Sequence, residues 1–200
     1  MLAVVVNGQS PTPTPKPSSQ ELKPFDTSQE NLPPNYHGFD ASVIDRALRD
    51  KKKRLQKDEF ETTETYIRRK KEEESRPFIG SVKIDSKIAF EIFIDSLAYD
   101  ADRQIMEVHP YNSILGLQLV SPYSYIAVGS SDKWEIKMDS LTAKQAKPHI
   151  RALAVVTLIE PYFREHSHTV FTVQLHEIWF YHETTGKIFH KLKSPKTLKR

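Results

Sequence analysis

The chain has 200 residues, 38% of them hydrophobic, with 29 basic against 26 acidic side chains and no cysteine. That length suits one domain plus a tail, with enough chain to bury a core without staples. The missing thiols exclude disulfides, thiolate zinc sites, a cysteine nucleophile and an anchoring lipoprotein cysteine within these residues. Charge is too balanced to give a bulk field for nucleic acid, and no run approaches a membrane span.

Met1 to Ser19 reads as the end of a secretion signal followed by a spacer. Leu2 to Val6 are apolar and Gly8 is small, so cleavage between Gly8 and Gln9 suits a signal peptidase. A basic start and a longer apolar core are missing from the pattern. Residues 1–8 are therefore expected to be the remnant of a signal peptide, which predicts a secreted or periplasmic address. If Met1 is the true start, the expectation is cytoplasmic. Seven of the thirteen prolines lie between Pro11 and Pro34. Residues 9–38 are thus expected to form a disordered Pro/Ser/Thr-rich tether, extended by polyproline II in its Thr-Pro repeat.

A helical region is predicted to begin after Asp40, which can cap it while Phe39 and Ile44 staple across the cap. Ile44, Leu48 and Leu55 mark one face, with Asp45, Arg49, Lys52 and Lys53 on others. The stripe loses phase at Phe60. Asp58 with Glu61 three residues later gives a second capping box, so two helices or one bent helix are expected from about 41 to 75. Phe60, Thr63 and Ile67 are expected to form the second apolar face, flanked by Tyr66, with Arg76-Pro77 ending the region.

Strand periodicity follows. Phe78, Gly80, Val82 and Ile84 share a parity with Ile88, Phe90, Ile92 and Ile94, which predicts a hairpin across Asp85 to Lys87. Leu97 to Tyr99 and Ile105 to Val108 flank a tight turn at Asp100 to Arg103. Leu115 to Val120 and the alternation of Trp134, Ile136 and Met138 predict further strands, with a short helix at Ser140 to Lys147 stopped by Pro148. Ala152 to Ile159 has the apolar continuity of a central strand covered on both faces and closed by Pro161. Val170 to Tyr181 is expected to be the longest strand, turned by Thr184 to Gly186 into Lys187 to Leu192. The predicted class is α+β: an N-terminal helical region packed on a mostly antiparallel or mixed sheet of about eight strands, preceded by a disordered tail. Residues 39–193 form the single expected domain, and the basic end, 194–200, is expected to fray.

The segment Phe60 to Arg69, with its Phe-Glu-Thr start and tyrosine and arginine at helical spacing, resembles a helix of uncharacterised exported bacterial proteins. The Tyr99 to Asp102 turn and the Thr185-Gly-Lys187 hairpin are similar to the same group. The resemblance covers that helix and two turns. It implies export and an α+β fold, and it carries no known activity. Packing of Phe60 and Ile67, with Arg68 or Arg69 paired to Glu64 or Glu72, accounts for the segment without a function.

Chemistry-bearing patterns are sparse. Ser130-Ser-Asp-Lys133 has the spacing of a penicillin-interacting nucleophile and lysine, yet its companion elements are missing and it precedes a strand instead of opening a helix. His166 and His168 beside Glu165 are the candidate metal ligands, weighed against solvated loop histidines. His176 and His182 share a strand face about 20 Å apart, too far for one ion. No Gly-rich phosphate loop or nucleophile elbow is present. The basic runs Lys51 to Arg54 and Arg68 to Lys71 are interleaved with acids that cancel their field, which favours a solvated helix face over nucleic acid. Tyr123, Tyr125 and Trp134 are candidates for an aromatic contact surface, with core or edge packing the commoner fate.

These observations predict an exported, soluble, non-catalytic interaction or accessory domain without cofactor. Its partner would be a protein or envelope component, with no nucleic acid and no transmembrane segment. Two alternatives stand beside it: a hydrolase or metal-dependent enzyme whose groups meet only in three dimensions, and a nucleic-acid binder using the basic helices.

Overall fold

A computed structural model describes the backbone of residues 22–113, 116–118, 124–126, 133–165 and 169–193, and side chains over 22–111, 133–159 and 173–193. The expected signal remnant, the first part of the tether (9–21) and the basic end lie outside the described residues.

Two helices come first. Helix α1 (Ala41–Arg54) starts where Asp40 accepts the Ser42 N–H at 2.8 Å, and it buries Ala41, Ile44, Leu48 and Lys51 along one stripe. Four basic residues in its last turn complement the helix dipole. Helix α2 (Thr63–Ser75) is capped by Thr62, whose hydroxyl accepts the Thr65 N–H, so it begins one turn later than an Asp58 cap predicts. Asp58 and Glu61 instead shape the turn before it: Phe60 N–H donates to Asp58 Oδ1 at 2.9 Å, and Asp58 N–H to Glu61 Oε2 at 3.4 Å.

The strands are β1 (Ile88–Ile92), β2 (Ile94–Asp100), β3 (Ile105–Pro110), β4 (Asn112–Ser113), β5 (Gly116–Gln118), β6 (Ser124–Ile126), β7 (Trp134–Lys137), β8 (Ile150–Glu165), β9 (Thr169–His182) and β10 (Ile188–Lys193). Helix α3 (Ser140–Ala146) and a 3-10 turn (Lys147–His149) separate β7 from β8. In place of one sheet of about eight strands there are two. The larger runs β1-β8-β9-β6-β5-β4 with β10 also paired to β9, and the smaller runs β2-β3-β7. All pairings are antiparallel except β6 with β9. Single residues carry the chain between sheets: Phe93 links β1 to β2, Tyr111 links β3 to β4, and the Tyr111 N–H donates to the Phe93 carbonyl. The class is α+β, as predicted, and the Asp100 turn is as expected: Asp100 Oδ1 accepts the N–H groups of Asp102 and Arg103.

Several strand expectations are corrected. Residues 78–84 make a tight turn, with Phe78 N–H bonded to Val82 O, and do not pair with β1. One edge of β1 is taken by β8, and on the other the Phe39 N–H donates to Ala89 O and the Phe25 N–H to Lys87 O, leaving no edge for a hairpin. Pro161 does not close β8. The strand continues to Glu165, and the pairing with β9 shifts register between Leu158 and Phe163, where a residue without an N–H is tolerated. That makes β8, at 16 residues, longer than β9 at 14.

The most consequential correction concerns the tether. Residues 22–38 are part of the fold. One face of β1, β8 and β9 presents Phe90, Ala152, Ala154, Val156 and Phe180 to α1, α3 and the small sheet. The opposite face presents Ala89, Leu153, Val155, Trp179 and Tyr181, and it is covered by Phe25, Leu32 and Tyr36. Phe25 meets Trp179 edge-on at 5.0 Å, while the Tyr181 hydroxyl donates to Tyr36 O at 2.5 Å. Lys191 lies over the Trp179 ring at 3.7 Å and donates to the carbonyls of Thr27 and Gln29, holding the arm from above. The arm is proline-rich because it runs extended across a sheet. Its low hydropathy hides three apolar anchors.

Leu32 N–H donates to Gly186 O, and Gly186 adopts φ +71° directly beneath the Leu32 carbonyl, where a methyl group would overlap the oxygen. Gly186→Ala is therefore expected to cost about 2–4 kcal/mol, from left-handed strain plus a displaced arm. Urea denaturation measures it; native-like stability would show that the arm is not seated on this turn.

Candidate functional site

Helix α2 is built the wrong way round for a helix lying on a protein. Its inward stripe is Tyr66, Arg69 and Glu73, at the i, i+3, i+7 spacing of one helical face. Its single aliphatic residue, Ile67, points out at 60% exposed, and Phe60, on the turn before the helix, is 89% exposed. The expected apolar face of Phe60, Thr63 and Ile67 does not form: Phe60 stands on the turn before α2, and all three residues are exposed.

Polar contacts between the two helix ends hold α2 in place. Lys51 sits in phase with Ile44 and Leu48 on the buried stripe of α1 and is only 1% exposed. Its Nζ donates to the carbonyls of Glu73 at 2.5 Å, Arg76 at 3.0 Å and Glu74 at 3.5 Å, at the C-terminus of α2, where the Glu73 carbonyl also accepts the Arg76 N–H. The reciprocal contact comes from Arg69. Its guanidinium grips Glu61 with two bonds of 2.7 and 2.8 Å and donates to the carbonyls of Arg54 and Gln56, where α1 ends. Each helix supplies the cation that caps the other's negative end. Glu73 completes the arrangement between Arg54 at 3.2 Å and Arg76 at 2.5 Å.

Electrostatics follow this geometry. Burial depresses the Lys51 ammonium, offset in part by Glu73. Burial pushes the Glu73 carboxyl up, but its hydrogen bonds and charge pairs with Arg54 and Arg76 carry it below the usual carboxylate value. The hydrogen bond from Arg69 holds Glu61 low. The outcome is a loop from Gln56 to Thr62 pinned at several points, with the Phe60 ring standing free at its tip. Beside it opens a shallow cleft of about 560 Å³, walled by Lys53, Gln56, Asp58 and Phe60 and floored by the Arg69–Glu61 pair. Every cation on the floor already has its anion. The corner therefore sets an exposed aromatic side chain beside carboxylates and cations that are largely paired with one another.

The sequence-derived candidates fall elsewhere. Trp134 is 5% exposed and packs edge-on against Phe180 at 5.6 Å, so it belongs to the core. Tyr125 lies in β6 opposite Gln118 and Val170, with its side chain outside the described residues, as are Tyr123, His166 and His168. Among the described residues, no group of three or more His, Cys, Asp or Glu side chains is placed to hold a metal ion. Lys133, the lysine of the Ser-x-x-Lys pattern, reaches Glu107 at 2.5 Å and Glu135 at 3.3 Å, and their hydrogen bonds raise its pKa, the opposite of what a proton-accepting lysine needs.

One polar cluster that spacing could not reveal joins four segments. Arg151 lies 3.6 Å from Glu91 and 2.8 Å from Glu183, and His37 Nδ1 is 2.9 Å from Glu91. It ties the arm, β1, β8 and the β9–β10 turn together. Nearby, His149 and His182 stack at 4.8 Å, a geometry that points neither ring at a shared ion. His182 Nδ1 is buried without a hydrogen-bond partner. The α1–α2 lock left a trace that sequence reading missed: a lysine at the position where the Ile44, Leu48 stripe calls for another aliphatic residue.

Comparison with known proteins is silent: no family model matches the chain, and no curated protein or solved structure does.

Lys51→Met keeps the packed stem and removes the donors. Amide exchange in α2 is expected to speed about 30-fold, near 2 kcal/mol, while β8 and β9 keep their protection; unchanged α2 exchange would refute the capping role. A pH dependence follows from His182, whose pKa burial and His149 lower from 6.5. The folded chain resists a proton that the unfolded chain accepts, so stability falls as pH drops from 6.5 toward the folded-state value. Burial and Lys87 lower His176 in the same direction. His182→Phe should flatten part of that slope in urea titrations between about pH 7.5 and 5.5; an unaltered slope would remove His182 as its source.

Proposed function

We propose that this chain is an exported, non-catalytic interaction domain that meets its partner through the outward face of α2 and the loop before it. The observation that carries the reading is the inversion of α2: charges and a tyrosine face in while Phe60 and Ile67 face out. An exposed aromatic ring on a loop whose backbone is pinned by hydrogen bonds has the character of an interface anchor. The polar lock leaves the apolar side chains of α2 unspent for an intermolecular contact.

Two further features support a protein partner over nucleic acid. Lys51, Arg54, Arg69 and Lys70 are committed within the chain to carbonyls or carboxylates, which removes half of the eight basic side chains of the two runs from phosphate contact. Asp58 and Glu59 flank the Phe60 ring and would repel a phosphate backbone. Export is supported by the apolar, small-residue start, the Thr-Pro spacer, and the resemblance of Phe60 to Arg69 to exported bacterial proteins. No described helix is long and apolar enough to cross a membrane.

A photo-reactive residue placed at Phe60, or at Ile67, is expected to cross-link a discrete protein in the expressing cells, and one placed at exposed Thr184 to capture none. Equal capture at all three positions would sink the assignment of this face. Cell fractionation tests the address, with the protein found wholly in the cytosol and its start unprocessed as the contrary result.

A further inference from the structure

We infer that the outward face of α2 pairs, antiparallel, with the same face of a second copy of this chain. This rests on the reading of that face as the contact surface and names its occupant. The argument is the placement of two charges around Ile67. Glu64 lies one turn before it and Lys71 one turn after, about 60° and 40° round the helix on the same flank, at about 100° per residue. Both are exposed, and among the described residues neither takes part in an ion pair. The neighbouring Lys70, by contrast, is paired in-chain with Glu74 at 3.6 Å.

Under a two-fold axis through Ile67, the two Ile67 side chains meet. Glu64 of each copy then faces Lys71 of the other, offset by only about 1.5 Å along the axis at 1.5 Å rise per residue. Both unpaired charges are satisfied at once, and the helix dipoles oppose. A parallel pair would instead set Lys70 and Lys71 of the two copies against each other. The charge pattern thus selects one orientation, and that orientation is self-complementary.

Size sets the strength. Thirteen residues make a helix about 20 Å long and about 10 Å across, so one face of it covers far less than the roughly 1,600 Å² buried in a standard interface. The pair is therefore weak and forms at high local concentration, as along a surface to which many copies are held.

Sedimentation equilibrium of the full chain at low salt, over about 10 μM to 1 mM, tests this. A monomer–dimer equilibrium is expected within that range. Ile67→Glu should weaken it at least tenfold. Glu64→Lys and Lys71→Glu should each weaken it about tenfold, while the double charge swap E64K/K71E returns it to within about threefold of the native chain. All three positions are solvent-exposed, so unchanged far-UV spectra certify the fold of the variants. A chain monomeric at 1 mM, a dimer indifferent to Ile67→Glu, or a double swap that fails to restore pairing would each overturn the inference. Monomeric protein whose Phe60 still cross-links a different protein in cells would retire the second copy alone and leave the interaction reading standing. Absence of both would retire the two together.

Discussion

The fold depends on a sheet that is apolar on both faces. Strands β8 and β9 bury Ala152, Ala154 and Phe180 on one side and Leu153, Val155 and Trp179 on the other. A sheet of this kind is usually covered by helices on either face, but here the helices and the small sheet supply only one lid. The other lid is an extended arm, which carries no regular pairing of its own and must be fastened piece by piece. Its fastening explains otherwise scattered details: the lysine over Trp179, the tyrosine hydroxyl on an arm carbonyl, and a glycine where the arm passes too close for a side chain. The salt-bridge cluster around Arg151 seals the same seam at its polar end.

Helix α2 follows the opposite logic. Where the arm is attached by apolar burial, α2 is attached by capping. A helix of thirteen residues is marginal on its own, so something must hold it, and a buried lysine with a clamped arginine does so without consuming its apolar side chains. Hydrogen bonds from cations to helix-end carbonyls are directional. They set the orientation of α2 and of the preceding loop, where a greasy contact would let them slide. The exposed side of α2 is therefore left uncovered by the rest of the described chain.

Much of the architecture was legible from periodicity. Both N-terminal helices, the short helix before Pro148, the central apolar strand and the Asp100 and Thr184 turns all follow from spacing, capping and turn chemistry. The tether misled because composition averages over a window, and Phe25, Leu32 and Tyr36 are too widely spaced to form a periodic signal. The hairpin expected at 78–94 failed for a reason outside the segment: the arm and β8 already occupy both edges of β1. Pro161 misled because a register shift can absorb one missing donor. At the candidate site, the second apolar face was misplaced: α2 starts after Phe60, and Ile67 points outward, because spacing suggests a face without saying what lies against it. Lys51 at a core position was the available clue.

The arm also bears on the order of events in making the protein. Phe25 and Leu32 leave the ribosome among the first residues of the fold, but the ring and turn that receive them, Trp179 and Gly186, are about 150 residues later. Contacts of such separation close slowly and come after local structure. Until the final hairpin is complete, one whole face of the central sheet stands uncovered and its cover hangs free. Such a chain stays incomplete through nearly all of its synthesis, and the arm seats only when the last hairpin has formed.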